Sequence, residues 1–185
     1  MSVQVIPTAE QRAAGGAFAR ALDCYARGCA ALARLCMVLS VAGLVCLIAA
    51  VSYQIFGRHV LNSTPTWAES LSLLLVLYVT MMGAAVAVRD AGHIGFESLA
   101  ELLPPGGRRR LRLLVHALVL LFGALMAWQC GVLAESVHSY KIPNLGLSEG
   151  WKYAPATLSG GLIVLFSLEH IIALLRNQKV VPAWH

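Results

Sequence analysis

Charged side chains are what this sequence has least of. Only 12 % of its 185 residues are Asp, Glu, Lys or Arg, about half the share of an ordinary soluble domain. None falls between Arg34 and Arg58, between Glu69 and Arg89, or between Arg112 and Glu135. A fourth apolar stretch, 153–175, is broken only by Glu169 and His170. A bilayer core roughly 30 Å thick takes about 20 apolar helical residues to cross. Four such stretches do not fit a globular core, and they leave no room for a second folded domain. Paired cysteines are also lacking. Cys24, Cys29, Cys36, Cys46 and Cys130 are odd in number and contain no Cys-x-x-Cys pair, which excludes a disulfide framework and a zinc site of the usual spacing. A cleavable leader is not expected either, because 34 residues precede an apolar run too long for a signal peptide.

The chemistry-bearing patterns are equally sparse. No Ser-His-Asp set, phosphate loop or paired-carboxylate motif has a supporting context, so no enzymatic role is expected. Secondary transporters and proton pumps place ionisable groups inside the bilayer. Here the centres of the first three spans hold none, apart from His116 one turn inside the third. An acid in the middle of the first helix, as in small multidrug exporters, is missing.

What is present predicts an all-α integral membrane protein. The expected organisation is a cytoplasmic amphipathic region over 1–34, a membrane domain over 35–175 and a cytoplasmic tail over 176–185. Spans are expected at about 35–57, 68–88, 113–134 and 152–175. Eleven of the fourteen Lys and Arg fall in the N-terminal region, the middle loop and the tail, against three in the other two loops. The positive-inside rule therefore puts both termini in the cytoplasm. This also explains the net charge of +5 without nucleic acid. Tyr53, Phe56, Trp67, Tyr140, Trp151 and Tyr153 gather near the two outer loops, where amphipathic rings favour the headgroup level.

Two short amphipathic helices are expected outside the spans. Phe18, Ala21, Leu22, Tyr25, Cys29 and Leu32 form a stripe, with Arg20, Arg27 and Arg34 on another face. Such a helix suits an anionic leaflet, or packing on the rest of the protein, before the chain turns into the first span. In the middle loop Phe96, Leu99, Ala100 and Leu103 repeat at helical spacing. Pro104-Pro105-Gly106-Gly107 should end that element.

Small residues suggest helix packing. Gly123, Ala127 and Gly131 lie four apart on the third helix, Gly83 and Ala87 on the second, and Gly160-Gly161 offers close approach on the fourth. The packing partner, inside or outside this chain, is open at this point. In the first hairpin Arg58 and Asn62 close one helix, while Trp67 and Glu69 open the next. Thr66 suits a helix cap with Glu69 three residues on, and the hairpin is open to an Arg58–Glu69 ion pair or to an ordinary interfacial turn. His116 and His170 form a candidate axial pair for haem, which gives an alternative reading as a haem-b-binding membrane anchor of an electron-transfer complex.

Three stretches together carry a resemblance. They are Arg58-His59-Val60-Leu61-Asn62 with Trp67-Ala68-Glu69, then Gly83 to Arg89 with Gly92-His93-Ile94 and Leu102-Leu103-Pro104, and Pro143-Asn144-Leu145-Gly146-Leu147 through Trp151 and Pro155 to Glu169-His170. Over about 35–175 the chain resembles the small permease subunit of tripartite ATP-independent periplasmic (TRAP) transporters, the DctQ-like family. It departs from that pattern at Ser70 and Ser72, where a second acid and a base are usual. The resemblance implies a multi-pass protein of the bacterial inner membrane with no cofactor. Its implied partners are a large permease subunit, a periplasmic solute-binding protein and the lipid bilayer. The implied role is to brace the permease and assist docking during sodium-driven uptake of an organic acid, usually a carboxylate. Residues for substrate and sodium would lie in other chains.

Overall fold

In lipid a backbone can satisfy its polar groups only internally, so the charge-free stretches have to be helical. The computed structural model of the chain describes residues 9–60, 65–90, 105–142 and 145–175. It consists of α1 (Ala9–His59), α2 (Thr66–Asp90), α3 (Pro105–Ser136) and α4 (Ala154–Leu175), with a 3₁₀ turn at Glu149–Lys152 before α4. All four helices contain a stretch long and apolar enough to cross a membrane. The expected helix at 96–103 and the tail lie outside the described residues, as do Asn62, Gly92 and His93.

One expectation is corrected. The amphipathic N-terminal helix and the first span are one helix of 51 residues, about 76 Å long at 1.5 Å per residue. The turn expected near Arg34 is not there. Good helix formers run through this segment, and the buried stripe of Cys29, Ala33 and Cys36 continues across the expected boundary. Pro105-Gly106-Gly107 form the first turn of α3. Proline is well suited to the first helical position, where its missing N–H would have no partner anyway.

The helices form an open row rather than a closed bundle. Among the described residues α1 packs along α2, α2 against α4, and α4 along α3. α1 touches α4 only slightly, and neither α1 nor α2 packs on α3. The order across the row is therefore α1–α2–α4–α3. Burial follows it: 33 % of the most apolar window of α4 is buried, against 11 % for α1 and 6 % for α3.

Glycine sets the closest approach in the row. A Cβ on Gly160 would stand 2.7 Å from the Ala127 nitrogen and 2.7 Å from the Gly123 oxygen. A Cβ on Gly123 would stand 2.8 Å from Ile163 Cγ2. The small-residue row of α3 thus packs inside this chain, against α4. Gly83 and Gly161 face open space. Gly43 meets α2 at Val79. The loop between α3 and α4 is pinned locally. Ile142 and Leu147 close a turn by a 2.7 Å backbone bond, around Gly146 at φ +68°. Ser148 Oγ donates to the His138 carbonyl at 2.7 Å and accepts from the Gly150 N–H.

Candidate functional site

Most of the row is apolar, so its polar contacts are conspicuous. They concentrate where α2 ends. Arg89 is in the last turn of α2, and Glu169 lies on α4 six residues before its end. Because α2 and α4 run in parallel, the two side chains meet. Arg89 Nε donates to Glu169 Oε2 at 2.9 Å, and Arg89 Nη2 donates to Oε1 at 2.9 Å. This fork-to-fork arrangement is the strongest geometry open to an arginine and a carboxylate. Arg89 Nη1 also donates to Asp90 Oδ1 at 2.8 Å. The residues are deeply enclosed, with Arg89 3 % and Glu169 5 % exposed. The fully buried Phe166 ring lies 6.0 Å from the Arg89 guanidinium carbon.

Two histidines extend the site to α3. His170 Nε2 lies 2.8 Å from the Arg89 carbonyl oxygen. A carbonyl can only accept, so Nε2 carries the proton and donates. This satisfies one of the carbonyls that every helix end leaves without an internal partner. The His170 ring stacks on that of His116 of α3, with centroids 4.6 Å apart and planes at 6°. Stacked faces with one ring nitrogen committed to a carbonyl are not the geometry of a haem axial pair. Axial imidazoles approach an iron edge-on from opposite sides. The residues present therefore do not fit haem.

On the other flank, α1 joins through Tyr25 and Cys29. Tyr25 Oη donates to the Leu165 carbonyl of α4 at 2.7 Å, and Cys29 sits against Tyr25 and Glu169. Farther along, Ser159 of α4 donates to the Met81 carbonyl of α2 at 2.7 Å. Apart from that Ser159 bond, these side chains form one cluster that ties all four helices together near the ends of α2 and α4. We refer to it as the clasp.

Among the described residues no group of three or more His, Cys, Asp or Glu could hold a metal. A buried ion pair adds little net stability over an apolar pair of the same shape. Removing one partner, however, leaves a buried charge uncompensated. Such a pair fixes which helix lies beside which, and in what register.

The residues singled out in the sequence fall into three groups. Arg89 is at the centre of the clasp, and Gly123, Ala127, Gly131 and Gly160 form the α3–α4 seam, with a Cβ on Gly131 3.6 Å from Thr157. Arg58, Trp67 and Glu69 are exposed at the far end, where Trp67 packs near Tyr53 with ring centroids 5.9 Å apart. Among the described residues no ion pair joins Arg58 to Glu69. Thr66 is the first residue of α2 rather than a cap outside it. Gly161 faces open space. Sequence reasoning weighed Glu169 only beside His170 and missed its union with Arg89. An acid and a base at corresponding ends of two parallel spans was the available signal.

Residues 47–177 match the family described as tripartite ATP-independent periplasmic transporters, DctQ component. The chain is 28 % identical over 142 residues to the sialic acid TRAP transporter small permease protein SiaQ of Vibrio cholerae, covering 75 % of this chain and 80 % of that one. It is 35 % identical over 102 residues to the sialic acid TRAP transporter permease protein SiaT of Haemophilus influenzae, covering 55 % of this chain and 16 % of that longer protein. This is a family of transporter components and not of enzymes, and the chain belongs to it as a TRAP small permease of the DctQ type.

Proposed function

We propose that this chain braces a large permease subunit in the bacterial inner membrane and assists docking of a periplasmic solute-binding protein, during sodium-driven uptake of an organic acid. The observation that carries the reading is the open row. Its helices have no polar centre to coordinate a solute or coupling ion. Its broad apolar faces instead offer packing surface to another membrane protein. Sialic acid, named in two of the relatives, is a carboxylic acid and fits the solute class. Both termini and the 89–112 loop lie in the cytoplasm on this reading, following the distribution of Lys and Arg. Cysteine labelling tests that orientation: Ser63 and Asn144 react from outside and Gly107 does not, whereas outside labelling at Gly107 would reverse it. The functional test is co-expression with a large TRAP permease subunit. A stoichiometric complex that survives detergent extraction, with uptake lost when this chain is deleted, supports the proposal. Unimpaired uptake in the deletion strain counts against it.

A further inference from the structure

The start of α3 carries more positive charge than bracing requires. Arg108, Arg109, Arg110 and Arg112 fall in its first two turns, and the first turn has no acid. A helix N-terminus already bears about half a positive charge from its backbone dipoles. The exposed guanidiniums of Arg109 and Arg110 add to that charge and repel one another, so an anion close by would relieve them. Arg109 Nη2 donates to the Leu175 carbonyl at the end of α4, at 3.3 Å. The basic patch therefore bridges the ends of two neighbouring spans. Arg109 and Arg110 are exposed, while Arg108 and Arg112 are half-buried with contacts of their own.

The position of the patch selects the anion. Apolar residues begin at once with Leu111, Leu113 and Leu114, and Leu114, Leu118 and Leu121 are exposed along α3. The guanidiniums thus stand at the border between an apolar helix face and water, where phospholipid phosphates lie. Arginine presents a planar fork that matches a phosphate oxygen pair. We infer that Arg109 and Arg110 hold the phosphodiester headgroup of an anionic phospholipid, whose acyl chains run down the exposed leucine face of α3. A free phosphate would meet the same guanidiniums but has nothing to place on the leucines.

Native mass spectrometry of the detergent-extracted protein tests this. The probes are phosphatidylglycerol, phosphatidylcholine and inorganic phosphate, on the unaltered chain, an Arg109→Gln/Arg110→Gln variant and an Arg58→Gln control. Phosphatidylglycerol should be retained over phosphatidylcholine, and its affinity should fall on the order of thirtyfold when the two cations are removed. Arg58→Gln, at the opposite end of the row, should leave it unchanged. Circular dichroism confirms that each variant keeps its helices. Equal retention of the two lipids, undiminished retention by the double variant, or displacement of the lipid by millimolar phosphate would each overturn the inference.

Discussion

Arg89 is shared between two carboxylates, and that sharing makes the two ends of the ion pair unequal. Glu169→Gln keeps a side chain of the same shape and leaves Arg89 its bond to Asp90. Arg89→Gln leaves both Asp90 and Glu169 buried without the guanidinium. The arginine change should therefore cost about 3–5 kcal/mol, and the glutamate change nearer 1–3 kcal/mol. Thermal unfolding of both variants in the same detergent measures the order. A glutamate variant less stable than the arginine variant would show that Asp90 does not share the charge. Some of this was legible before the fold was known. The scarcity of charge makes any acid or base inside a span conspicuous, and Arg89 already stood in the motif set. The pairing itself was hidden, because Arg89 and Glu169 are 80 residues apart and only the parallel packing of α2 on α4 brings them together.

At the scale of elements, the spans were readable from charge-free length alone, and the order of helices across the row was not. Apolar residues lie on every side of each span, so no stripe identifies a neighbour. Glycine spacing came closest, since the row Gly123, Ala127, Gly131 is a true seam. Gly160 and Gly161 looked alike in the sequence, yet only Gly160 meets a backbone. Gly160→Ala would drive a Cβ into Ala127 and the Gly123 carbonyl, which cannot give way as a flexible side chain would. It should destabilise the α3–α4 hairpin by about 1–3 kcal/mol. Gly161→Ala, in open space, should be neutral or stabilise the isolated chain by up to about 1 kcal/mol through lost unfolded-state freedom. Unfolding of the two alanine variants side by side decides it. Equal destabilisation would contradict the seam. The continuous α1 was missed for a related reason: basic residues mark a membrane boundary, but they do not interrupt a helix.

For the whole molecule, the contacts fix a stagger across the row. Gly43 lies beside Val79, Ser159 beside Met81, and Gly123 beside Gly160 and Ile163. Val45 of α1 is then level with about Pro155 of α4, and Phe122 of α3 with about Ile163, an offset of about 12 Å at 1.5 Å per residue. Both Val45 and Phe122 are exposed and sit near the middle of their apolar stretches. Three interhelical spacings of about 9 Å separate α1 from α3. The row must lean by roughly 25° for both to reach the bilayer centre, within the usual range of helix tilts. Spin labels at Val45 and Phe122 should report the same depth, and a depth difference near 12 Å would mean an upright row. On the proposed reading, a row of helices joined by the clasp and without a polar centre supports a transporter and is not itself a path for solute. Reconstitution in liposomes tests that claim most directly, using this chain alone, then the large permease, then both with the binding protein. Solute should accumulate under a sodium gradient only when all three are present. Transport by this chain alone, or full uptake by its partners without it, would contradict the account.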